Sequence, residues 1–425
     1  MAKVDCNIDV HHITRVEGHG NIHITIRDGK LIDAQWAVVE TPRFFEVMVR
    51  GLSAERVPFL TSRICGICSI SHALASIRSL ERAMEIAPPP AAVMLRQLAM
   101  HGETLQSHAL HIFFLAVPDF VNTPNVLPLI ESHPEIVQAG LRMKAAGNAI
   151  SEIVTGRCTH PVSLVLGGLS KAPDRQALEG LKKQLEQVLP DLDLTAQFCT
   201  ALSIPDFVRE TEFVSLHNGE NYPAIGGNLV STDGVCRDEN DYLTMTNEYK
   251  PDFTTTKFTR LSRESFAAGA LARFNNNYDL LRPEAQNAAR LFGLEPVSHN
   301  PFMNNIAQLV ECYHIVNDAI TLIEELLDAP LEKVKTAWEP KAGAATGAVE
   351  APRGILYHHM EVDEKGKVVR GDCIIPTTQN NANIHHDLAA LARQALSEGR
   401  NDKEIQLLCE MLVRSYDPCI SCSVH

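Results

Sequence analysis

Hydrophobic positions follow two periods along this chain of 425 residues. Near the start, Ile22, Ile24 and Ile26 alternate with polar residues, Asp28-Gly29 offers a turn, and Leu31 to Val39 returns. That pattern predicts an antiparallel β region over about residues 8–40. A second β-hairpin is predicted at about 355–375, with Ile355 to Val362, a turn at Asp363 to Gly366, and Val368 to Ile375. Between them the period lengthens to that of a helix. Ala73, Ile77, Leu80 and Met84 share one helical face, which Pro88-Pro89-Pro90 ends. Met94, Leu98, Leu105, Ala109 and Ile112 mark a second helix ending near Pro118, and Leu178, Leu181, Leu185 and Val188 a third. Ile306, Leu309, Val310, Tyr313, Val316, Ile320, Ile323 and Leu327 form a stripe of about six turns. Residues 210 to 252 are polar, rich in Gly and Asn and aperiodic, and read as a large surface excursion. The expected class is mainly α with small β-hairpins (α+β), built on a central helical bundle.

Composition narrows the function classes. A hydrophobic content of 45% with 21% charged residues is that of a soluble globular protein. The net charge of −14 and the lack of a basic run exclude nucleic acid as a partner. Apolar runs such as Ile112 to Val117 are too short for direct membrane insertion, and Met1 to Cys6 lacks the apolar core of a leader. The 11 cysteines are odd in number and mostly scattered, which suits a reducing, cytoplasmic setting rather than a disulfide framework.

Four of those cysteines carry the chemistry. Cys65-x-x-Cys68 is followed by His72, and Cys419-x-x-Cys422 by His425. One such pair alone reads as a zinc half-site, a redox dithiol or two buried cysteines. Structural zinc usually clips half-sites roughly 12–20 residues apart, whereas these pairs bracket nearly the whole chain. Four soft thiolates close a tetrahedral zinc or hold nickel and iron. A site shared by distant segments implies one domain spanning residues 1–425, despite a length suggesting two or three.

Arg63-x-Cys65-Gly66-x-Cys68-x-x-x-His72 and Asp417-Pro418-Cys419-x-x-Cys422-x-x-His425 resemble the two signature motifs of the large subunit of nickel–iron hydrogenases. Arg15 to His19, Glu350 to Gly354 and Ile375 to Thr378 resemble further motifs of that family, so the resemblance spans almost the entire chain. It implies the nickel–iron hydrogenase large-subunit fold and an oxidoreductase that reversibly cleaves H2 into protons and electrons. Cys65 and Cys419 then resemble the terminal nickel thiolates, and Cys68 and Cys422 those bridging to an iron that carries carbon monoxide and cyanide. Glu17 resembles the carboxylate that takes the proton from Cys419; read by itself, it is a surface carboxylate paired with Arg15.

Arg353, preceded by Pro352 and a Gly/Ala-rich approach from Ala342, resembles the guanidinium overhanging the metals. Asp119 and Asp417 resemble its acidic companions. The resemblance further implies that Thr377 donates to a cyanide nitrogen and His72 to a thiolate. Glu46, His425 and a carbonyl near Cys373 are the expected ligands of a magnesium ion, or an iron, by the C-terminus. Phe44 departs from the family, many members of which have Gly there. His160-Pro161 resembles a segment near the electron exit, while His108 and His111 read as core histidines.

The remaining cysteines are too scattered to hold iron–sulfur clusters. The family pairs with an iron–sulfur small subunit. The chain's compactness resembles the cytoplasmic group, which implies further electron-transfer subunits, a flavin/NAD(P), deazaflavin or disulfide-reductase module. No Gly-x-Gly-x-x-Gly fingerprint places that chemistry here. Ending at His425, the sequence reads as the form left after a maturation protease removes a C-terminal extension. Two alternatives remain at this point: a non-catalytic respiratory-complex-like subunit of the same fold, and a structural zinc protein.

Overall fold

The computed structural model describes residues 5–425; residues 1–4, part of the segment read as lacking a leader, lie outside the described residues. Strands β1 (Cys6–Val10), β2 (Gly20–Arg27) and β3 (Lys30–Val38) form an antiparallel sheet in that order. Ile22, Ile24 and Ile26 are buried on its inner face, as their alternation predicts. Trp36 fills the inside of the sheet, where any side chain at Gly20 would strike its ring. Its indole nitrogen donates to Asn381 Oδ1 at 2.9 Å, tying the sheet to a helix late in the chain.

The helical stripes are realised as α1 (Ser69–Met84), α2 (Pro90–Leu110), α4 (Arg175–Thr200) and α5 (Asn304–Asp328). A further helix, α3 (Pro134–Thr155), packs between α2 and α4, and α5 packs on both, which completes the bundle. Asp174 caps α4 by accepting from Gln176 N and Ala177 N. The second helix does not run on evenly to Pro118. A wide π turn over His111–Ala116 separates it from a short helix, Val117–Phe120.

The segment expected to be a surface excursion keeps much of its length at the surface but also contributes strands to a sheet. β4 (Glu212–His217), β5 (Asn228–Ser231), β6 (Cys236–Arg237) and β7 (Phe266–Ala267) make a sheet of order β6-β5-β4-β7. Phe213, Val214, Ser215 and Leu216 are all buried, so β4 is covered on both faces and shows no alternation. Val214, Leu216, Leu229, Tyr242 and Met245 form a second apolar cluster beside the main core.

The late hairpin gains a third strand: β8 (Gly343–Ala351), β9 (Gly354–Val362) and β10 (Val368–Ile374) pair in sequence order. The Gly/Ala-rich approach to Arg353 is therefore a strand, lying on α1. A Cβ at Gly347 would come within 2.4 Å of both Ala75 O and Ser79 N, so the small residue sets the closeness of that packing. Helices α6 (Pro376–Ser397) and α7 (Asp402–Ser415) follow, α7 opening on a reciprocal Asn401/Glu404 capping box. Among the described residues, no helix is long and apolar enough to cross a membrane.

Candidate metal centre

The first cysteine pair sits at the start of α1. Cys65 Sγ accepts the N–H groups of Ile67 and Cys68 at 3.2 and 3.4 Å, which curls the Cys-x-x-Cys turn around one sulfur. No local side chain caps α1. Glu103, from α2, accepts from Ile70 N and Ser71 N at 2.6 and 2.9 Å and also from the Ser71 hydroxyl. The second pair follows α7 through Asp417, whose φ of 49° turns the chain back.

The four cysteine sulfurs converge. They all lie within 4.8 Å of one another and are buried. Cys65 and Cys419 are 3.5 Å apart, Cys68 and Cys422 3.8 Å, and Cys419 and Cys422 2.6 Å. A tetrahedral metal with bonds near 2.3 Å sets its sulfurs about 3.8 Å apart; the first two separations approach that spacing, and Cys419 and Cys422 would have to part to reach it. Hydrogen bonds from Cys419, Cys422 and Cys68 hold the Cys65 thiol well below its usual range. Its bonds to Cys422, Cys65 and Cys68 push Cys419 up, and burial pushes Cys422 up. Four thiolates in this space therefore require a cation, and the donor set fits a soft transition metal.

Arg353 closes one side of a small cavity shared with Cys68, Cys419, Cys422 and Thr377. Its Nε donates to Asp417 O at 2.8 Å and its Nη2 to Asp417 Oδ1 at 2.9 Å, while the buried Nη1 has no partner among the described residues. Gln308 Nε2 donates to the other Asp417 oxygen at 3.1 Å. Arg273 fixes the preceding backbone by donating to Ala351 O and Pro352 O, and pairs with Glu311 and Glu350. Burial pushes Glu350 up to about 7. Thr377 Oγ1 accepts from Cys419 N at 2.8 Å, which leaves its own proton to donate.

Glu17 lies against the second pair. Its carbonyl accepts Ile420 N at 2.9 Å, and its carboxylate receives Ser421 N at 3.1 Å and the Ser421 hydroxyl. Arg15 is not its partner, since a positive φ of 61° turns Arg15 away toward Leu115 O and the Asp119 carboxylate. Asp119 in turn does not reach Arg353. It pairs in the interior with Arg414 Nε at 2.7 Å and Nη2 at 3.1 Å, because the π turn carries it toward α7.

One other expectation changes in detail. His72 is buried, but its Nδ1 faces His358 Nε2 at 3.1 Å, and His358 is held by Ser76 Oγ; among the described residues no hydrogen bond joins His72 to a sulfur. Burial pushes His72 down to about 3, so its ring is neutral. Cys373 N donates to Glu46 Oε1 at 2.9 Å, which sets that edge of the strand beside Glu46. Glu46 Oε1 also faces His425 Nε2 at 3.4 Å. Burial pushes Glu46 up, but His425 and the Cys373 amide outweigh it and hold the carboxyl at about 2. Asp372, unread in the sequence, accepts from the Tyr242 hydroxyl at 2.5 Å, and burial pushes its carboxyl up.

Arg43 joins the two halves, donating from Nη2 to Ile64 O and Ser421 O. Phe44 adopts the left-handed conformation that Gly would take, with φ 59°. His160 ties two loops together: its N–H donates to Ser69 Oγ, and its ring meets Ser62 O. His108 pairs with Glu311, and His111 lies between Gln308 and Arg414 O.

A profile of the nickel-dependent hydrogenase family matches residues 43–139 and 236–425, and a HoxL-like profile matches residues 7–41. The chain is 32% identical to the alpha subunit of sulfhydrogenase 2 of Pyrococcus furiosus, with 98% of each chain covered. It is 30% identical to the beta subunit of the NAD-reducing hydrogenase HoxS of Cupriavidus necator, covering 97% of this chain and 93% of the relative. Among solved structures, an NAD+-reducing NiFe hydrogenase in the H2-reduced state matches with a TM-score of 0.90 at 27% identity, covering 99% of both chains.

Proposed function

Because the chain belongs to the nickel-dependent hydrogenase family, we propose that Cys65, Cys68, Cys419 and Cys422 hold a nickel–iron centre at which it reversibly converts H2 into two protons and two electrons. The observation that carries this reading is the convergence of four buried sulfurs from opposite ends of the chain within 4.8 Å. When bound, the metals supply the Lewis-acid and redox chemistry for splitting H2. Cys65 and Cys419 would bind the nickel, and Cys68 and Cys422 would serve both nickel and iron.

The protein's own groups handle the proton and hold the site. Glu17, anchored by Ser421, is the base beside Cys419 and takes the proton from its sulfur. Arg353 lines the cavity with its Nη1 donor free, while Asp417, itself held by Gln308, fixes the rest of the guanidinium. With carbon monoxide and cyanide on the iron, the Thr377 hydroxyl would donate to a cyanide; His72, Leu356 and Ile375 line the same cavity, and Arg273 holds Pro352 next to it. Glu46, His425 and a carbonyl near Cys373 would hold a magnesium ion, or an iron, with Glu46 already facing both partners.

Electrons leave through an iron–sulfur small subunit, in line with relatives that are themselves named as single subunits of larger hydrogenases. A flavin/NAD(P), deazaflavin or disulfide-reductase module receives them, a maturation protease trims the chain, and the complex works in the cytoplasm. Elemental analysis and H2 uptake test the central reading. Wild-type protein is expected to contain nickel and iron, and Cys419→Ser to lose most of its nickel and its uptake. Zinc alone in the wild type, or full nickel and activity in Cys419→Ser, overturns it.

A further inference from the structure

A proton taken by Glu17 has to reach water, and the groups on the far side of Gly18 offer a route. Gly18 has a φ of +88°, which turns the chain so that the Glu17 carboxylate rests on Ser421 while His19 faces outward, its side chain 63% exposed. Glu40 accepts from His19 N and faces His19 Nδ1, both at 2.9 Å, and its own side chain is only 20% exposed. The His12 ring meets the His19 ring edge-on at 5.2 Å. A Cβ on Gly18 would lie 2.9 Å from Glu40 Oε1 and 2.9 Å from Ser421 N, the same amide that donates to Glu17. The two carboxylates thus flank one bare glycine, one resting on Ser421 between the second pair of cysteines and the other facing a solvent-exposed imidazole.

We propose that Glu40 and His19 form a proton exit, passing the proton from Glu17 to solvent; this rests on the reading of Glu17 given above. The proton leaves the Glu17 carboxylic acid and is taken, past Gly18, by the Glu40 carboxylate, which leaves Glu17 ionised again. Glu40 hands it to His19 Nδ1, and the resulting imidazolium releases its Nε2 proton to bulk water; no electrons move. The two ring nitrogens of His19 let one take up a proton while the other releases one, which suits the last step.

Exchange between H2 and D2O, measured on the intact complex in weak buffer, tests the route. His19→Ala and Glu40→Gln are expected to retain nickel and to slow exchange at least about ten-fold. Added imidazole is expected to restore the His19→Ala rate, which a purely structural defect would not allow. Wild-type exchange in both variants, or a slow His19→Ala rate that imidazole fails to lift with nickel retained, overturns the exit. Should His19→Ala lose nickel, the nickel-retaining Glu40→Gln rate decides. Glu17→Gln separates the two readings: exchange indifferent to it overturns the role of Glu17, while exchange that needs Glu17 but neither Glu40 nor His19 overturns the exit alone.

Discussion

Glu103 holds the start of α1 from a buried position, its partners being the amides of Ile70 and Ser71 and the Ser71 hydroxyl. Burial pushes its carboxyl up to about 8 from an ordinary value of 4.5. The folded state therefore binds this proton more tightly than the unfolded chain. The resulting stability is fully present below pH 4.5 and is lost as the pH rises through about 8. Glu103→Gln keeps an acceptor but cannot ionise, so the decline in urea midpoint from pH 5 to pH 8 should shrink by an amount worth a few kcal/mol. Parallel pH profiles for the two proteins would reject this. The sequence hides Glu103 because a carboxylate on a helix ordinarily faces water, and its receptor lies 33 residues away. Gln308 and His358 are hidden for the same reason: they act through partners from other elements.

Elements were legible where one face alone is apolar. The stripe of α5 and the alternation of β2 translate directly into buried faces. Helix α3 was equally legible, since Ile136, Met143, Ile150 and Val154 are buried at helical spacing, yet it was not among the predicted helices; between them Gly147 lies against Gln106 N and Gly140 against the Phe113 ring. β4 was hidden because it is covered on both sides and shows no alternation. The same closeness makes a prediction at β8. Gly347→Ala drives a methyl into the backbone of α1 at Ala75 and Ser79, neither of which can rotate aside. We expect a loss of about 1–3 kcal/mol and, because α1 begins at Cys68, reduced nickel retention. An unchanged thermal midpoint with full nickel would refute it.

Across the whole molecule, the site draws on residues 17, 65–72, 353, 377 and 417–425. Its sulfur ligands were legible because each pair is a short local spacing, whereas Asp372 and Arg273 enter only through the tertiary fold. The last segment is held by Arg43, which bonds Val424 O through its own amide and Ser421 O through its side chain, and by Glu46 facing His425. Glu46→Gln is expected to speed amide hydrogen exchange after Asp417 and lower activity while leaving the four cysteines in place. Unaltered protection of that segment would show that Arg43 suffices.

The contact between Glu17 and Ser421 joins residues 404 positions apart. Closing a loop of that length costs about 5 kcal/mol of chain entropy before any contact within it repays the loss. Pairings of such range form late in folding and make it slow. They also break when any intervening part of the chain swells, so partial unfolding far from the cysteines reaches them early. Retained metal is thus a gauge of the intact tertiary structure, and its release an early sign that the molecule has begun to open.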